Sequence, residues 1–236
     1  MNSPYGLSCV ECLNCHLRPK NFFCAFSKES LKVFDQIKHA AVYPEHAVIF
    51  VEGQPARGIY MLCQGQAKLS ANSRDGNTLI LRIAKAGDVL GLQATVTGKP
   101  YDLTVETMQP CQLNFVSRED FFPFIKQHGD ACLQAAQHVC RDYHDACDVA
   151  RSVGLSHSIS ERLAKFLLQS SAEGEVANGV VRTKLALTHE DIAQLIGSSR
   201  ETITRILTGF RKMKIAELKG STLILHNKTA LGRLAA

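Results

Sequence analysis

Of the nine cysteines in this 236-residue sequence, four crowd its start: Cys9, Cys12, Cys15 and Cys24. Two residues separate each of the first three, so their thiols can close on one point, and thiolates are soft ligands suited to zinc or iron. That spacing signals a metal of some kind. Residues 1–24 carry little apolar periodicity, so the segment can hardly fold without a ligand. Met1 to Leu7 show neither the basic n-region nor the apolar h-region of an export signal, which predicts a cytoplasmic location. A reducing compartment disfavours structural disulfides. It leaves three uses for the thiols: an iron–sulfur centre, a structural zinc on the four N-terminal cysteines, or a metal-free dithiol switch. Cys63 and Cys132 read as small core hydrophobes. No histidine has ligand spacing, His16 and His144 included.

A second chemistry is written near the C-terminus. Thr188 and Asp191 have the spacing of a capping box ahead of Ile192-Ala193-Gln194-Leu195-Ile196, and Gly197 closes that helix. Ser198 with Glu201 predicts another box and a second helix, with Ile203, Ile206, Leu207 and Phe210 as its buried stripe. The opposite face carries Arg200, Glu201, Thr204, Arg205 and Thr208. Two short helices joined by a glycine turn, the second with arginines near its start, make a helix-turn-helix with its reading helix exposed. Arginine offers a planar fork to guanine O6 and N7, and glutamate accepts from cytosine N4. Arg211 and Lys212, at the helix end, suit phosphates. Glu217 to His226, folded about Lys219-Gly220-Ser221, predicts a wing hairpin.

The charge is distributed to match. Residues 156–236 hold 12 Lys+Arg against 7 Asp+Glu, whereas the preceding residues hold 15 of each, so the whole net charge of +5 sits on the DNA-reading module. Apolar residues make up 45% and charged residues 21% of the chain, an ordinary globular composition. No apolar run approaches the roughly 20 residues of a membrane span. No Ser/His/Asp order, carboxylate pair or P-loop rises above chance, which argues against an enzyme.

The elements that must position these residues follow from texture. Val48-Ile49-Phe50-Val51, Ile59-Tyr60-Met61-Leu62, Leu79-Ile80-Leu81 and Leu103-Thr104-Val105, punctuated by glycine, predict an antiparallel barrel or roll between about Val48 and Val116. Helical periodicity runs from Arg118 to about Val153, with a break near Gly129. Within it Leu133, Ala136, Cys140, Tyr143, Cys147 and Ala150 recur at 3-4 spacing, a seam for another helix. A neighbouring stripe fits equally well, so part of the helix is expected on the roll and part on a second subunit. Ser160 to Leu168 reads as a helix and Glu173 to Gly179 as a polar loop. The class is α+β: a Cys-rich segment at 1–26, a β-roll sensor at 27–127, a dimerisation helix at 128–155 and a winged helix-turn-helix at 156–236.

This order, together with Gly87-Asp88-Val89-Leu90-Gly91 and Ser199-Arg200-Glu201-Thr202-Ile203-Thr204-Arg205, resembles the CRP/FNR family of bacterial transcription regulators over essentially the whole chain. The resemblance implies a jelly roll of the cyclic-nucleotide-binding type, a homodimer, and partnership with RNA polymerase and double-stranded DNA. The DNA-contacting set would be Ser199, Arg200, Glu201, Thr204, Arg205, Arg211 and Lys212, reading palindromic TGTGA-like half-sites. Cyclic-nucleotide members carry a glutamate after the glycine that matches Gly91 and an Arg-Ser or Arg-Thr pair about ten residues later. Here those places hold Leu92 and Tyr101-Asp102, which predicts no cyclic nucleotide. The cysteines look like the FNR branch, whose oxygen sensors hold a [4Fe-4S] cluster. Cys111, after Val105-Glu106-Thr107, resembles its internal ligand. Cys12, Cys15 and Cys24 match the N-terminal ones, with Cys9 as an alternate, although the eight residues between Cys15 and Cys24 exceed the usual gap.

Overall fold

The structure, a computed structural model, describes residues 5–7, 12–15, 23–156, 158–172, 174–177 and 179–235; Cys9 lies outside them. The chain divides into two compact units, residues 1–73 with 81–146 and residues 74–80 with 147–236.

In the first unit a 3-10 turn at Cys12–Asn14 precedes helix α1 (Lys28–Ile37). Ser27 caps α1, its hydroxyl accepting from the Ser30 N–H at 3.2 Å, so the chain turns abruptly into the helix. Eight strands and one short helix follow: β1 (His39–Tyr43), β2 (Val48–Phe50), β3 (Gly58–Gln64), β4 (Gln66–Asn72), β5 (Thr78–Lys85), β6 (Val89–Leu90), α2 (Leu92–Thr97), β7 (Thr104–Thr107) and β8 (Cys111–Ser117). They build two four-stranded sheets, in the orders β1-β8-β3-β6 and β2-β7-β4-β5, which is the expected roll. Strands β1, β4 and β8 went unforeseen because their alternation is broken by alanines and amides rather than β-branched residues.

The pleat sorts side chains between two cores. Along β3, Ile59 and Met61 join an outer core with Phe23, Phe26, Leu31, Phe34, Phe121 and Phe124, while Tyr60 and Leu62 belong to the roll interior with Phe50, Leu69, Val105 and Leu113. The outer core is aromatic, with Phe23 edge-on to Phe26 at 5.4 Å between centroids.

Helix α3 (Arg118–Gln127) ends at His128, and α4 (Gly129–Leu155) begins at once, so the expected break falls where predicted. Ala131, Ala135 and His138 bury on the roll side of α4, whereas Leu133, Ala136, Cys140, Tyr143 and Ala150 are exposed and Cys147 is half-buried. Cys132 is exposed too, which corrects its reading as a core hydrophobe: it falls between the buried positions of the 3.6-residue repeat. His138 fixes α4 to the roll. Its Nε2–H donates to the Val89 carbonyl at 3.0 Å, and its Nδ1 accepts from Arg141 Nη2 at 3.1 Å. Burial, reinforced by the Arg82 charge, lowers its pKa to about 4, so it is neutral at physiological pH. His138→Ala would strand the Val89 carbonyl and leave a void, and is expected to destabilise the protein by about 2–4 kcal/mol. A lower urea midpoint at unchanged slope is the check.

The second unit contains α5 (Ile159–Ser170), β9 (Glu175–Ala177), β10 (Val180–Lys184), α6 (His189–Ile196), α7 (Arg200–Lys212), β11 (Ala216–Lys219), β12 (Thr222–Leu225) and α8 (Lys228–Leu234). A sheet in the order β11-β12-β10-β9 backs the helices. The stretch expected as a polar loop is instead the outer strand of a hairpin: Gly179, at φ 75°, turns β9 back on β10 so that Val180 pairs with Ala177. Exposed Glu175 and Val176 hide that strand from a pattern search. Leu163, Leu167, Ile192, Ile203, Phe210 and Leu223 form the core, and α8, unforeseen, adds Leu231.

Candidate nucleic-acid interface and thiol cluster

The interface is built from two caps and a turn. Thr188 Oγ1 accepts from the Asp191 N–H at 3.0 Å and Asp191 Oδ2 accepts from the Thr188 N–H at 2.9 Å, the reciprocal box that starts α6. Gly197 ends α6 at φ 65°, a conformation that favours glycine. The next cap is Ser199 rather than Ser198: its hydroxyl accepts from the Thr202 N–H at 3.3 Å, and the expected Ser198–Glu201 box is displaced by one residue. That shift leaves Glu201 free in the first turn of α7.

Ile203, Leu207 and Phe210 face the core, and the other side of α7 is an open concavity of about 650 Å³ lined by Arg200, Glu201, Thr204, Arg205, Thr208, Gly209 and Lys212. Ser199, Arg200, Glu201, Thr204, Arg205, Arg211 and Lys212 are all exposed. Among the described residues none of those charged side chains makes an ion pair, so all are available to a ligand. Thr204 is the exception in kind: its hydroxyl donates to the Arg200 carbonyl and accepts from His189 Nδ1–H, each at 2.8 Å. His189, which sequence reasoning passed over, therefore ties α6 to the reading helix. The hairpin β11–β12 turns at Gly220, φ 56°, as the wing was expected to do.

At the other end of the chain the eight described cysteines are all thiols. Cys12 is buried between α1 and β8. Its N–H donates to Asp35 Oδ1 at 3.0 Å, and its Sγ accepts from Lys38 Nζ at 3.2 Å and from Asn114 Nδ2 at 3.9 Å. Lys38, its side chain 10% exposed, also pairs with Asp35 at 2.8 Å. Burial pushes the Cys12 thiol up to about 11 against the pull of Lys38. Cys24 is buried in the same outer core, and Cys63, at the edge of that core, feels Cys12, Cys24 and Cys15 as neighbouring charges that add to the rise burial imposes on it.

Cys111 is elsewhere. It is fully buried in the roll interior, where its Sγ donates to the carbonyls of Gln66 and Gln109, each at 3.2 Å. The expected set of Cys12, Cys15, Cys24 and Cys111 is thus not brought together. Asn114, which touches Cys12, and Cys111 lie three residues apart on one strand and so point to opposite faces.

A model described as the cyclic nucleotide-binding domain matches residues 41–128, and one described as the Crp-like helix-turn-helix domain matches residues 161–234; together they cover more than two thirds of the chain. The chain belongs to the CRP/FNR family of transcription regulators. Among similar proteins, the CRP-like cAMP-activated global transcriptional regulator of Mycobacterium tuberculosis is 25% identical over 82% of this chain and 86% of that one. The global nitrogen regulator of a Synechocystis strain is 29% identical over 78% of this chain and 83% of its own. The structure of FixK2 from Bradyrhizobium japonicum superposes with a TM-score of 0.71 at 23% identity, covering 85% of this chain and 98% of that one, a likeness of fold. The relatives are regulators, and this CRP/FNR protein is not an enzyme.

In this CRP/FNR chain the roll interior is filled from within. Tyr101 stacks on Phe50 at 3.9 Å between centroids, its hydroxyl donates to the Gly58 carbonyl at 2.9 Å, and Gly91 is bare because a β-carbon there would strike the Tyr101 ring. The space left beside Leu92, Tyr101, Asp102, Arg82 and Asp142 is about 70 Å³, and a second recess by Arg57 and Tyr60 is about 280 Å³. The first is far below the roughly 300–1,000 Å³ of small-molecule sites, and the second lies at the lower edge of that range.

Among the described residues no three His, Cys, Asp or Glu side chains converge as a single ion requires; tetrahedral zinc would hold its sulfurs about 3.8 Å apart. A polynuclear cluster spaces its thiolates more widely. The donor chemistry suits such an anionic group: Lys38 supplies a positive charge and Asn114 an N–H to the Cys12 sulfur, beside a buried aromatic core.

Proposed function

We propose that this CRP/FNR regulator binds palindromic DNA as a homodimer and that its affinity is set by an iron–sulfur centre on the N-terminal thiols. The observation that carries the DNA reading is the unpaired Arg200, Glu201 and Arg205 triplet on the exposed face of α7, held at a capped helix start. Two arginines and a glutamate at that spacing suit the guanines and the cytosine of a TGTGA-like half-site. The exposed row Leu133, Ala136, Cys140, Tyr143 and Ala150 on α4 supports pairing with a second copy, because an apolar helical face of that length seeks a partner helix. Such a dimer matches two half-sites about 34–36 Å apart, and contact with RNA polymerase is part of the same reading. Fluorescence anisotropy with a palindromic TGTGA duplex and a scrambled duplex at one fixed salt concentration tests it. Equal affinity for the two would overturn it.

For the sensor, the burial of Cys12 and Cys24 in one core, with half-buried Cys15 three residues after Cys12 and Lys38 on the Cys12 sulfur, supports a thiolate-held cluster. When bound, an iron–sulfur cluster supplies one-electron chemistry and sensitivity to oxygen. The chain's own part is to bind and shield it: Phe23, Phe26 and Phe34 exclude water, and Lys38 and Asn114 offset thiolate charge.

Cyclic nucleotides are not the effector in this reading, although relatives are named as cAMP-activated. Leu92 offers no acceptor for a ribose hydroxyl, Asp102 repels a phosphate, and Tyr101 occupies the interior. Titration calorimetry with cyclic AMP and cyclic GMP is expected to show no heat at physiological concentrations. Micromolar binding of either would sink the idea.

A further inference from the structure

We infer that Cys63, not Cys111, completes the thiolate set with Cys12, Cys15 and Cys24; the inference rests on the iron–sulfur reading above and specifies its fourth ligand. Strand β8 carries the decisive geometry. Cys111 and Leu113 project into the roll interior, while Asn114 and Val116 project to the outer face, where the Asn114 amide reaches Cys12 Sγ at 3.9 Å. Bringing Cys111 to that face would require a one-residue slip of β8, which would exchange every inward and outward side chain along it. The present register is fixed on both sides, with Tyr43 opposite Cys111 in β1 and Met61 opposite Asn114 in β3. Cys111 is also committed: its thiol donates to two carbonyls, and Gly65 packs so closely on it that a β-carbon there would overlap the sulfur.

Cys63 has the opposite disposition. It follows Ile59 and Met61 on the outer face of β3, and it sits at the bulge where the pairing with β8 shifts between Leu62 and Gln64. A bulge re-aims a side chain away from the regular ladder. Here it sets a half-buried thiol against the core that holds Cys12 and Cys24, with, among the described residues, a weak 3.7 Å hydrogen bond to the Met61 carbonyl. Three ligands then come from the N-terminal segment and one from the sheet that the segment covers, so binding would fasten the two together.

The test uses the full chain, reconstituted without air with ferrous iron and sulfide, as wild type, Cys63→Ser and Cys111→Ser. Iron, acid-labile sulfide and visible absorbance are measured per protomer. Wild type and Cys111→Ser are expected to take up about four iron and four sulfide, and Cys63→Ser at least about twofold less. Retention by Cys63→Ser with loss in Cys111→Ser overturns the inference and leaves the iron–sulfur reading standing. Failure of the wild type to take up sulfide overturns both. Alkylation of the wild type guards against a variant that misfolds: Cys63 is expected to be protected when loaded and labelled after chelation. Equal labelling in both states counts against it as a ligand.

Discussion

Arg200→Ala is expected to weaken binding to a TGTGA-type operator by about 1–3 kcal/mol for each half-site and to relax discrimination at one guanine. The magnitude follows from what the side chain does not do within the protein. Arg200 is exposed in the first turn of α7 and holds no ion pair, while the cap is made by Ser199 and the core by Ile203, Leu207 and Phe210. Removing its guanidinium therefore leaves α7 folded and subtracts only the bidentate contact with the base. Lys212→Ala is the informative companion. Lys212, exposed at the far end of the helix, faces phosphate in this reading, so its loss should weaken all duplexes alike and reduce the salt dependence. Both variants must be compared with wild type at one ionic strength. An Arg200→Ala protein with unchanged base preference would refute the assignment of Arg200 to a guanine.

The DNA-reading module was almost fully legible in the sequence, because its determinants are local. The Thr188–Asp191 box, the Gly197 turn and the polar stripe of α7 each depend on residues within four positions of one another. Even the misplacement of the second cap, by one residue, left the exposed face unchanged. Strand β9 was missed because what makes it a strand is its pairing with β10, while its own residues are polar or exposed. In α4 the heptad reading picked out residues that the structure leaves exposed, and the burial of His138 depends on the distant Val89 carbonyl.

The cysteines show the limit more sharply. Spacing identified Cys9, Cys12 and Cys15, with Cys24, as candidates; the family resemblance made Cys9 an alternate and added Cys111 from its strand context. Which face of β8 meets the N-terminal segment is a property of sheet register, set by cross-strand partners far away in sequence. Cys63 reads as a core residue because Ile59-Tyr60-Met61-Leu62 before it is uniformly apolar, and the structure does set it, half-buried, against the outer core; only the bulge singles it out further. The one signal that bore on it was Gly65, two residues on, whose φ of 98° marks the turn into β4 just beyond the bulge.

Exposure of anaerobically prepared protein to air is expected to lower operator affinity at least tenfold, and Cys24→Ser is expected to reproduce the loss without air. The route is a chain of packed groups inside the first unit. Cys24 is buried beside Phe23, whose ring lies 6.3 Å from both Phe121 and the His138 ring of α4, and whose N–H donates to the Gly87 carbonyl at 3.2 Å. Three residues on, the Ser27 N–H and the Ser30 hydroxyl both donate to Asp130 at the start of α4, each at 2.7 Å. A ligand on Cys24 thus orders the very segment that clamps one end of α4. The exposed row on that helix contains Ala136, Cys140 and Ala150, small residues that give a dimer seam little packing energy of its own and leave it easily biased. A differential of about 1.4 kcal/mol between paired and unpaired states suffices for the tenfold change. Since DNA demands two reading helices one turn apart, affinity follows the paired population. Cys9→Ser should be milder, since Cys9 is only an alternate in the ligand set. Equal operator affinity before and after air, with loss of the visible absorbance confirmed, would mean that the thiol site is structural and that this regulator answers to another signal.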